Sequence, residues 1–132
     1  WFVLVHPPAA MSAAHVYNDP LLGLNKERPF AGRTPAFREA LRALKEGAYD
    51  RVVFNRMERP VFEQHRTLAE MKSALLEAGC RAAAMSGSGP TLFGVAGSQR
   101  EALRVADYLK EKALNCRTSI AAPVPSGIEW VR

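Results

Sequence analysis

The chain has 132 residues, of which 48% are hydrophobic and 23% are charged, and its formal net charge is +5. This length supports one domain with a substantial core, and the composition is that of an ordinary soluble globular protein. No apolar run approaches the roughly 20 residues that a membrane span requires, so we expect no membrane association. We therefore interpret residues 1–132 as a single domain.

The positive charge is scattered along the chain. Basic residues stand beside acidic ones on predicted helix faces, as in Arg38-Glu39 and Lys45-Glu46, which is typical of solvated helices. The sequence has no aromatic-plus-basic pattern of the kind that binds RNA. We therefore do not expect a nucleic-acid partner.

The cysteines and histidines predict neither a disulfide framework nor a metal site. Cys80 and Cys116 are far apart, with no CxxC spacing, and His6, His15 and His65 show no ligand spacing. Buried, reduced thiols are typical of cytoplasmic proteins, and we expect a cytoplasmic location.

The first segment, residues 1–6, is a continuous apolar run that ends at Pro7-Pro8. Such a run predicts a strand that is covered on both faces. Because the chain starts inside this strand and lacks an initial methionine, we expect it to be part of a longer protein.

A short helix is predicted over residues 11–17, with Ser12 as its capping residue. Asp19-Pro20 ends the helix, because the residue before a proline avoids the helical region. Residues 21–32 contain proline, glycine and mixed charge, and they predict a surface connection.

The next helix begins at Thr34-Pro35, a capping hydroxyl followed by proline at the first helical position, and Gly47 ends it. Its predicted core-facing residues are Phe37, Leu41 and Leu44. Residues 49–59 fit either a helical turn or a short strand. Their predicted buried residues are Val52, Val53, Phe54 and Met57.

A longer helix is predicted from Pro60 to a stop at Gly79. Its apolar stripe consists of Phe62, Leu68, Met71, Leu75 and Leu76. Residues 80–85 and 91–96 read as two strands on either side of a Ser/Gly turn.

The last helix is opened by a capping box, with Ser98 as the cap and Glu101 three residues later. Its predicted buried residues are Ala102, Val105, Ala106 and Leu109. Residues 118–124 then form the last strand. The order of strand, helices, strand, turn, strand, helix, strand predicts an α+β, ferredoxin-like split β-α-β fold, in which helices back a four-stranded antiparallel sheet.

The Ser/Gly turn contains Ser86, Gly87, Ser88 and Gly89 and is followed by Pro90. Glycines at alternate positions allow positive φ, and successive amides in such a turn can form a nest that binds an anion. A plain turn between two strands is the alternative. A Walker loop requires a lysine after its glycines, and this turn has none. No helix follows the turn to assist anion binding. The turn therefore makes more sense as half of a phosphate site than as a whole one.

Other polar residues offer no complete catalytic constellation. Ser86 and Ser88 have no base that the sequence identifies, so we expect no catalytic residue in this chain. For Asn55 and Glu58, capping or loop bracing is favoured over ligand contact. Tyr17 either packs against the domain or stacks on a planar ligand.

Residues 86–93 resemble the third conserved motif of the GHMP kinases, which phosphorylate hydroxyl groups of small metabolites. The resemblance becomes more specific with three further segments, residues 1–7, 17–20 and 55–58. Together they resemble the carboxyl-terminal half of the 4-diphosphocytidyl-2-C-methyl-D-erythritol kinases. The resemblance implies an ATP-dependent kinase of the non-mevalonate route to isoprenoid precursors. Two positions depart from that pattern: Arg56 stands where an aspartate is usual, and Ala13 where a hydroxyl residue is common.

The same resemblance implies how the site is divided. ATP and Mg²⁺ would be bound mainly by an amino-terminal kinase domain of the same polypeptide, which also holds the catalytic aspartate and lysine. Ser86, Gly87, Ser88 and Gly89 would support the phosphate loop, and Tyr17 would stack on the cytosine ring of the cytidyl substrate.

Two alternative functions stay open at this point. One is another GHMP kinase with a different alcohol substrate, because the glycine motif is shared across the family. The other is a stand-alone ferredoxin-like module that binds a ligand or a partner protein, because this fold hosts many functions.

Overall fold

In a computed structural model, which describes residues 1–22, 35–124 and 127, the chain forms one antiparallel sheet in the order β2-β3-β1-β4. The strands are β1 (Phe2–His6), β2 (Ala82–Met85), β3 (Leu92–Val95) and β4 (Arg117–Ala121). The helices are α1 (Ala13–Tyr17), α2 (Pro35–Glu46), α3 (Glu58–Gln64), α4 (Arg66–Glu77) and α5 (Gln99–Glu111). This order confirms the predicted ferredoxin-like α+β fold.

The centre of the sheet is β1, which pairs with a strand on each side. Val3 lies opposite Gly94 of β3 and Ile120 of β4. Val3 and Val5 are fully buried on one face of the strand. On the opposite face Phe2 packs edge-on against Phe93, with ring centroids 6.2 Å apart. Phe2, Leu4 and His6 on this face are only half-buried, so the predicted cover on both faces of the strand is found on one face alone.

The helix α5 forms as the sequence predicts. The Ser98 hydroxyl accepts a hydrogen bond from the Glu101 amide at 3.2 Å, which is the N-cap contact. The Glu101 carboxylate accepts from the amide of Gly97, one residue before the cap, at 2.8 Å. All four predicted core residues of this helix are buried.

The predicted long helix after Pro60 is wrong in one respect, because the structure has two helices there. The chain leaves helical geometry at His65, whose φ is −128° and ψ is 73°, between α3 and α4. The spacing of the apolar residues explains why the helix is interrupted. Phe62 and Leu68 are six residues apart, a spacing that does not return to the same face of one helix. The break lets both helices turn their apolar residues to the core.

Several residues predicted to be buried are exposed. Phe54 is 77% exposed, and Val52 and Val53 are only half-buried. The predicted core residues Phe37, Leu41, Leu44 and Leu76 are between 43% and 46% exposed. Apolar periodicity identifies which face of a helix is apolar, but the burial of that face depends on what packs against it.

Short elements settle the ambiguous stretches within the described residues. Tyr49–Arg51 and Pro20–Leu22 form 3-10 turns, so residues 49–59 contain a helical turn rather than a strand. The last strand ends at Ala121, three residues earlier than predicted. The predicted cap at Thr34 and most of the predicted connection over residues 21–32 lie outside the described residues.

Two further features concern the thiols and the membrane. Cys80 and Cys116 are both free, and burial raises the pKa of the Cys80 thiol to about 11. Cys80 is therefore protonated at neutral pH and is a poor nucleophile. In the described residues, no helix has both the length and the apolar character that a bilayer crossing needs.

Substitution of Gly94 tests the packing of α4 on the sheet. A Cβ atom at this position would collide with Cys80 Sγ and would lie 3.0 Å from Leu75 Cδ2. We expect Gly94→Ala to lower the free energy of unfolding by about 1–3 kcal/mol, the usual cost of overpacking a core. Urea unfolding measures the change. The matched control is Gly127→Ala, where a Cβ meets nothing within 4 Å. Equal stabilities for the two variants would contradict the close approach of helix and sheet.

Candidate functional site: the glycine loop

Residues 86–91 form the glycine loop, the turn that joins β2 to β3. Both predicted glycines have positive φ, +55° at Gly87 and +85° at Gly89. The loop is closed by two main-chain hydrogen bonds. The amide of Ser86 donates to Thr91 O at 2.8 Å, and the amide of Gly89 donates to Ser86 O at 2.9 Å. The glycines are therefore needed for the conformation of the turn, as predicted.

The loop leaves two successive amides unpaired. Among the described residues, the N–H groups of Gly87 and Ser88 have no acceptor, and the hydroxyls of Ser86 and Ser88 make no hydrogen bond. Ser86 and Gly87 are exposed, whereas Ser88 is half-buried. Successive unpaired amides are the donors that an anion-binding nest provides.

The side chain of Asn55 is hydrogen-bonded to the main chain of the glycine loop and of the end of β2. Its side-chain amide donates to Met85 O at 2.8 Å and to Gly87 O at 2.7 Å. Its own carbonyl oxygen, Oδ1, accepts from the amide of Met57 at 2.9 Å. Every hydrogen-bonding atom of this side chain is therefore directed to the main chain, which confirms loop bracing as the role of Asn55.

Glu58 holds the adjacent end of β2. Its Oε1 atom accepts from the amide of Met85 at 2.8 Å, and its Oε2 atom lies 2.6 Å from Lys72 Nζ. Lys72 also lies over the Phe62 ring, 6.0 Å from its centroid. Both charged side chains are mostly buried, so this ion pair is screened less by water than a surface pair.

Tyr17 ends α1 and is 49% exposed. No hydrogen bond between described residues joins it to the glycine loop, but α3 connects the two regions. Gln64 at the end of α3 donates to Asp19 Oδ2 at 3.0 Å, and Glu58 at its start holds the loop. One short helix therefore sets the position of the Tyr17 segment relative to the glycine loop.

The predicted site residues do not line the cavity beside the start of α4. A cavity of about 280 Å³ lies between residues 7–9, the start of α4 and residues 113–115, and none of the five predicted site residues lines it. In the part of the chain that the structure describes, no group of three His, Cys, Asp or Glu side chains is placed to hold a metal ion. Within the described residues, the candidate site therefore consists of the hydrogen-bond donors of the glycine loop and the half-exposed side chain of Tyr17.

The sequence identified Asn55 and Glu58 as bracing residues but did not identify their partners. Their common partner, Met85 at the end of β2, lies 30 residues after Asn55 and 27 residues after Glu58. Lys72 was missed altogether. It lies on α4, 14 residues from Glu58, and no local pattern links the two positions.

These observations define an α+β domain with a ferredoxin-like sheet and a β2–β3 turn that offers unpaired amides. A family model described as the C-terminal domain of GHMP kinases matches residues 31–115. The chain belongs to this family.

Similar proteins agree with this assignment. A 4-diphosphocytidyl-2-C-methyl-D-erythritol kinase from Heliobacterium modesticaldum is 37% identical over 85% of this chain and 39% of its own length. The kinase of the same name from Macrococcus caseolyticus is 33% identical over 83% of this chain and 38% of its own length. The crystal structure of a 4-(cytidine 5'-diphospho)-2C-methyl-D-erythritol kinase matches with a TM-score of 0.66 and 28% identity, over 89% of this chain and 40% of that one. The chain spans about two fifths of the length of these relatives.

Removal of the Glu58 carboxylate tests the support of the loop. We expect Glu58→Ala to lower the free energy of unfolding by about 1–3 kcal/mol, because it leaves the Met85 amide and the Lys72 ammonium group without their acceptor. The measurement is urea unfolding at neutral pH.

The control is Glu63→Ala. Glu63 lies 3.9 Å from Arg59, and both side chains are more than half exposed. The loss of this pair should change the free energy of unfolding by less than about 0.5 kcal/mol. A Glu58 variant as stable as the Glu63 variant would show that the Glu58–Lys72 pair does not support the loop.

Proposed function

We propose that this chain is the carboxyl-terminal, substrate-facing domain of an ATP-dependent kinase that phosphorylates 4-diphosphocytidyl-2-C-methyl-D-erythritol. One observation carries the proposal: the two unpaired amides of the glycine loop lie in a domain whose relatives bear the name of this kinase. This assigns the protein to the non-mevalonate route of isoprenoid biosynthesis.

The glycine loop is proposed to support the phosphate region of ATP. The amides of Gly87 and Ser88 would donate to phosphate oxygens, and the hydroxyls of Ser86 and Ser88 lie on the same turn. Phosphoryl transfer is catalysed mainly by positioning and charge neutralisation. Fixed amides need little reorganisation when an anion binds, so they suit this task.

The remaining parts of the reaction are assigned to an amino-terminal kinase domain of the same polypeptide. The described residues do not fit Mg²⁺, because Glu58 has both oxygens engaged and no carboxylate cluster is present among them. We propose that the magnesium ligands, the catalytic base and most ATP contacts belong to that domain. Residues 1–132 would then form one domain of a two-domain enzyme.

Tyr17 is proposed to stack on the cytosine ring of the substrate. This residue is 49% exposed at the end of α1, so about half of its surface is accessible to a ligand. Flat aromatic rings bind nucleobases by stacking. We also propose a cytoplasmic location for the protein, which its two free cysteines support.

A sister GHMP kinase with a different alcohol substrate is the second candidate. The observation that favours it is Arg56, where the cytidyl kinases usually have an aspartate. The Arg56 guanidinium donates to Leu22 O at 3.2 Å and so contacts the segment that follows Tyr17. A change there alters the surroundings of the proposed cytosine site.

An activity assay of the longer protein tests the proposed function. We expect ATP-dependent phosphorylation of 4-diphosphocytidyl-2-C-methyl-D-erythritol, followed by release of ADP, and no turnover by the 132-residue chain alone. Homoserine and mevalonate serve as comparison substrates. Preference for either of them would favour the sister kinase, and turnover by the isolated chain would contradict the division of the site.

Replacement of Tyr17 tests the stacking role. In the longer protein, we expect Tyr17→Ala to weaken binding of the cytidyl substrate by about 1–3 kcal/mol, because a stacked base loses its aromatic partner. Tyr17→Phe, which keeps the ring, should bind almost normally. Michaelis constants for the cytidyl substrate and for ATP distinguish the effects. An unchanged constant for the cytidyl substrate in Tyr17→Ala would leave Tyr17 with a packing role.

A further inference from the structure

We propose that Asn55 is a positioning residue for phosphate binding, because it fixes the direction in which the Ser88 amide points. The Asn55 side chain donates to Gly87 O at 2.7 Å, and Gly87 O belongs to the same peptide group as the Ser88 N–H. The effect of Asn55 on ATP binding and catalysis rests on the proposed function.

The planarity of the peptide bond makes the link between Asn55 and Ser88. In a trans peptide the C=O and N–H bonds point in opposite directions. A side chain that holds Gly87 O on one side of the loop therefore directs the Ser88 N–H to the other side. That N–H has no acceptor among the described residues, so it is available to an anion on that side of the loop.

Asn55 suits this role because its own orientation is fixed at both ends. Its Oδ1 atom accepts from the Met57 amide at 2.9 Å, and its Nδ2 atom bridges two carbonyl oxygens, those of Met85 and Gly87. A side-chain amide has two donors on one nitrogen and an acceptor beside it. An aspartate has the same shape but lacks both donors.

The conformational freedom of Gly87 explains why Asn55 is needed to hold this peptide group. Gly87 has φ +55°, and glycine adopts positive and negative φ with similar ease. Without Asn55, the Gly87–Ser88 peptide is free to rotate. Rotation would turn a carbonyl oxygen toward the phosphate instead of an N–H group. Asn55 therefore decides whether this side of the loop attracts or repels an anion.

Glu58 holds the point from which the loop starts. It accepts from the Met85 amide at 2.8 Å, while Asn55 donates to the carbonyl oxygen of the same residue at 2.8 Å. The main chain of Met85 is thus held through both of its polar groups. The segment 55–58 consequently positions the loop through the end of β2 as well as through Gly87.

Kinetics of the longer protein test the inference. We expect Asn55→Ala and Asn55→Asp to raise the Michaelis constant for ATP by about tenfold or more, a factor equivalent to about 1.4 kcal/mol. The constant for the cytidyl substrate should change little, because Tyr17 is held through Asp19 and Gln64. The alanine variant adds no charge, so it separates lost orientation from electrostatic repulsion. Asn115→Asp, at an exposed position, controls for added negative charge.

A second measurement uses the 132-residue chain itself. In NMR spectra, addition of inorganic phosphate should shift the amide signals of Gly87 and Ser88, and both Asn55 variants should lose this response. Thermal unfolding of the variants verifies that they are folded at the temperature of the experiments. A purely structural role for Asn55 would lower the melting temperature and leave the ATP constant and the phosphate response unchanged.

The two measurements distinguish the inference from the function on which it rests. An active wild-type enzyme whose Asn55 variants keep a normal ATP constant would overturn the role of Asn55. A wild-type protein without kinase activity, but with a phosphate response that depends on Asn55, would overturn the proposed kinase function and support the positioning role of Asn55. If the Gly87 and Ser88 amides of the wild-type chain do not respond to phosphate, the proposal that Asn55 directs the Ser88 N–H toward an anion is contradicted.

Discussion

The main chain of Met85 is held from the side that β3 does not cover. Met85 is the last residue of an edge strand, and both of its polar groups bond to the segment that precedes and begins α3. An edge strand otherwise exposes such groups to water or to another chain. Here they fix the starting point of the glycine loop, and the positive φ values that follow determine which amides stay unpaired.

The same segment joins the two parts of the proposed site. The start of α3 braces the glycine loop, and its end contacts the region after Tyr17 through Gln64. The residues proposed for phosphate support and for base stacking are therefore linked by one helix of seven residues. Because α3 is anchored by the buried residues Pro60 and Val61, the relative position of the two parts follows from core packing.

Much of the fold was predictable because its signals are local. The cap at Ser98, the buried residues of α5 and the positive φ at Gly87 follow from residues within a few positions of one another. The family motif is similarly contiguous. The break at His65 was not predictable in the same way, because it depends on two helices that each need contact with one core. The exposure of Phe54 and Leu41 likewise depends on which elements lie above them.

The sequence alone determined the order of the elements, the antiparallel α+β architecture and the glycines that the turn requires, since these depend on spacing and on intrinsic backbone preference. Only the tertiary structure decided what the turn presents to solvent. Asn55 reaches Gly87 across 32 residues, and Glu58 meets Lys72 on a different helix. Such contacts arise when the core brings distant segments together. For that reason the sequence could identify a turn with the right residues, whereas the direction of its unpaired amides became visible only in the folded domain.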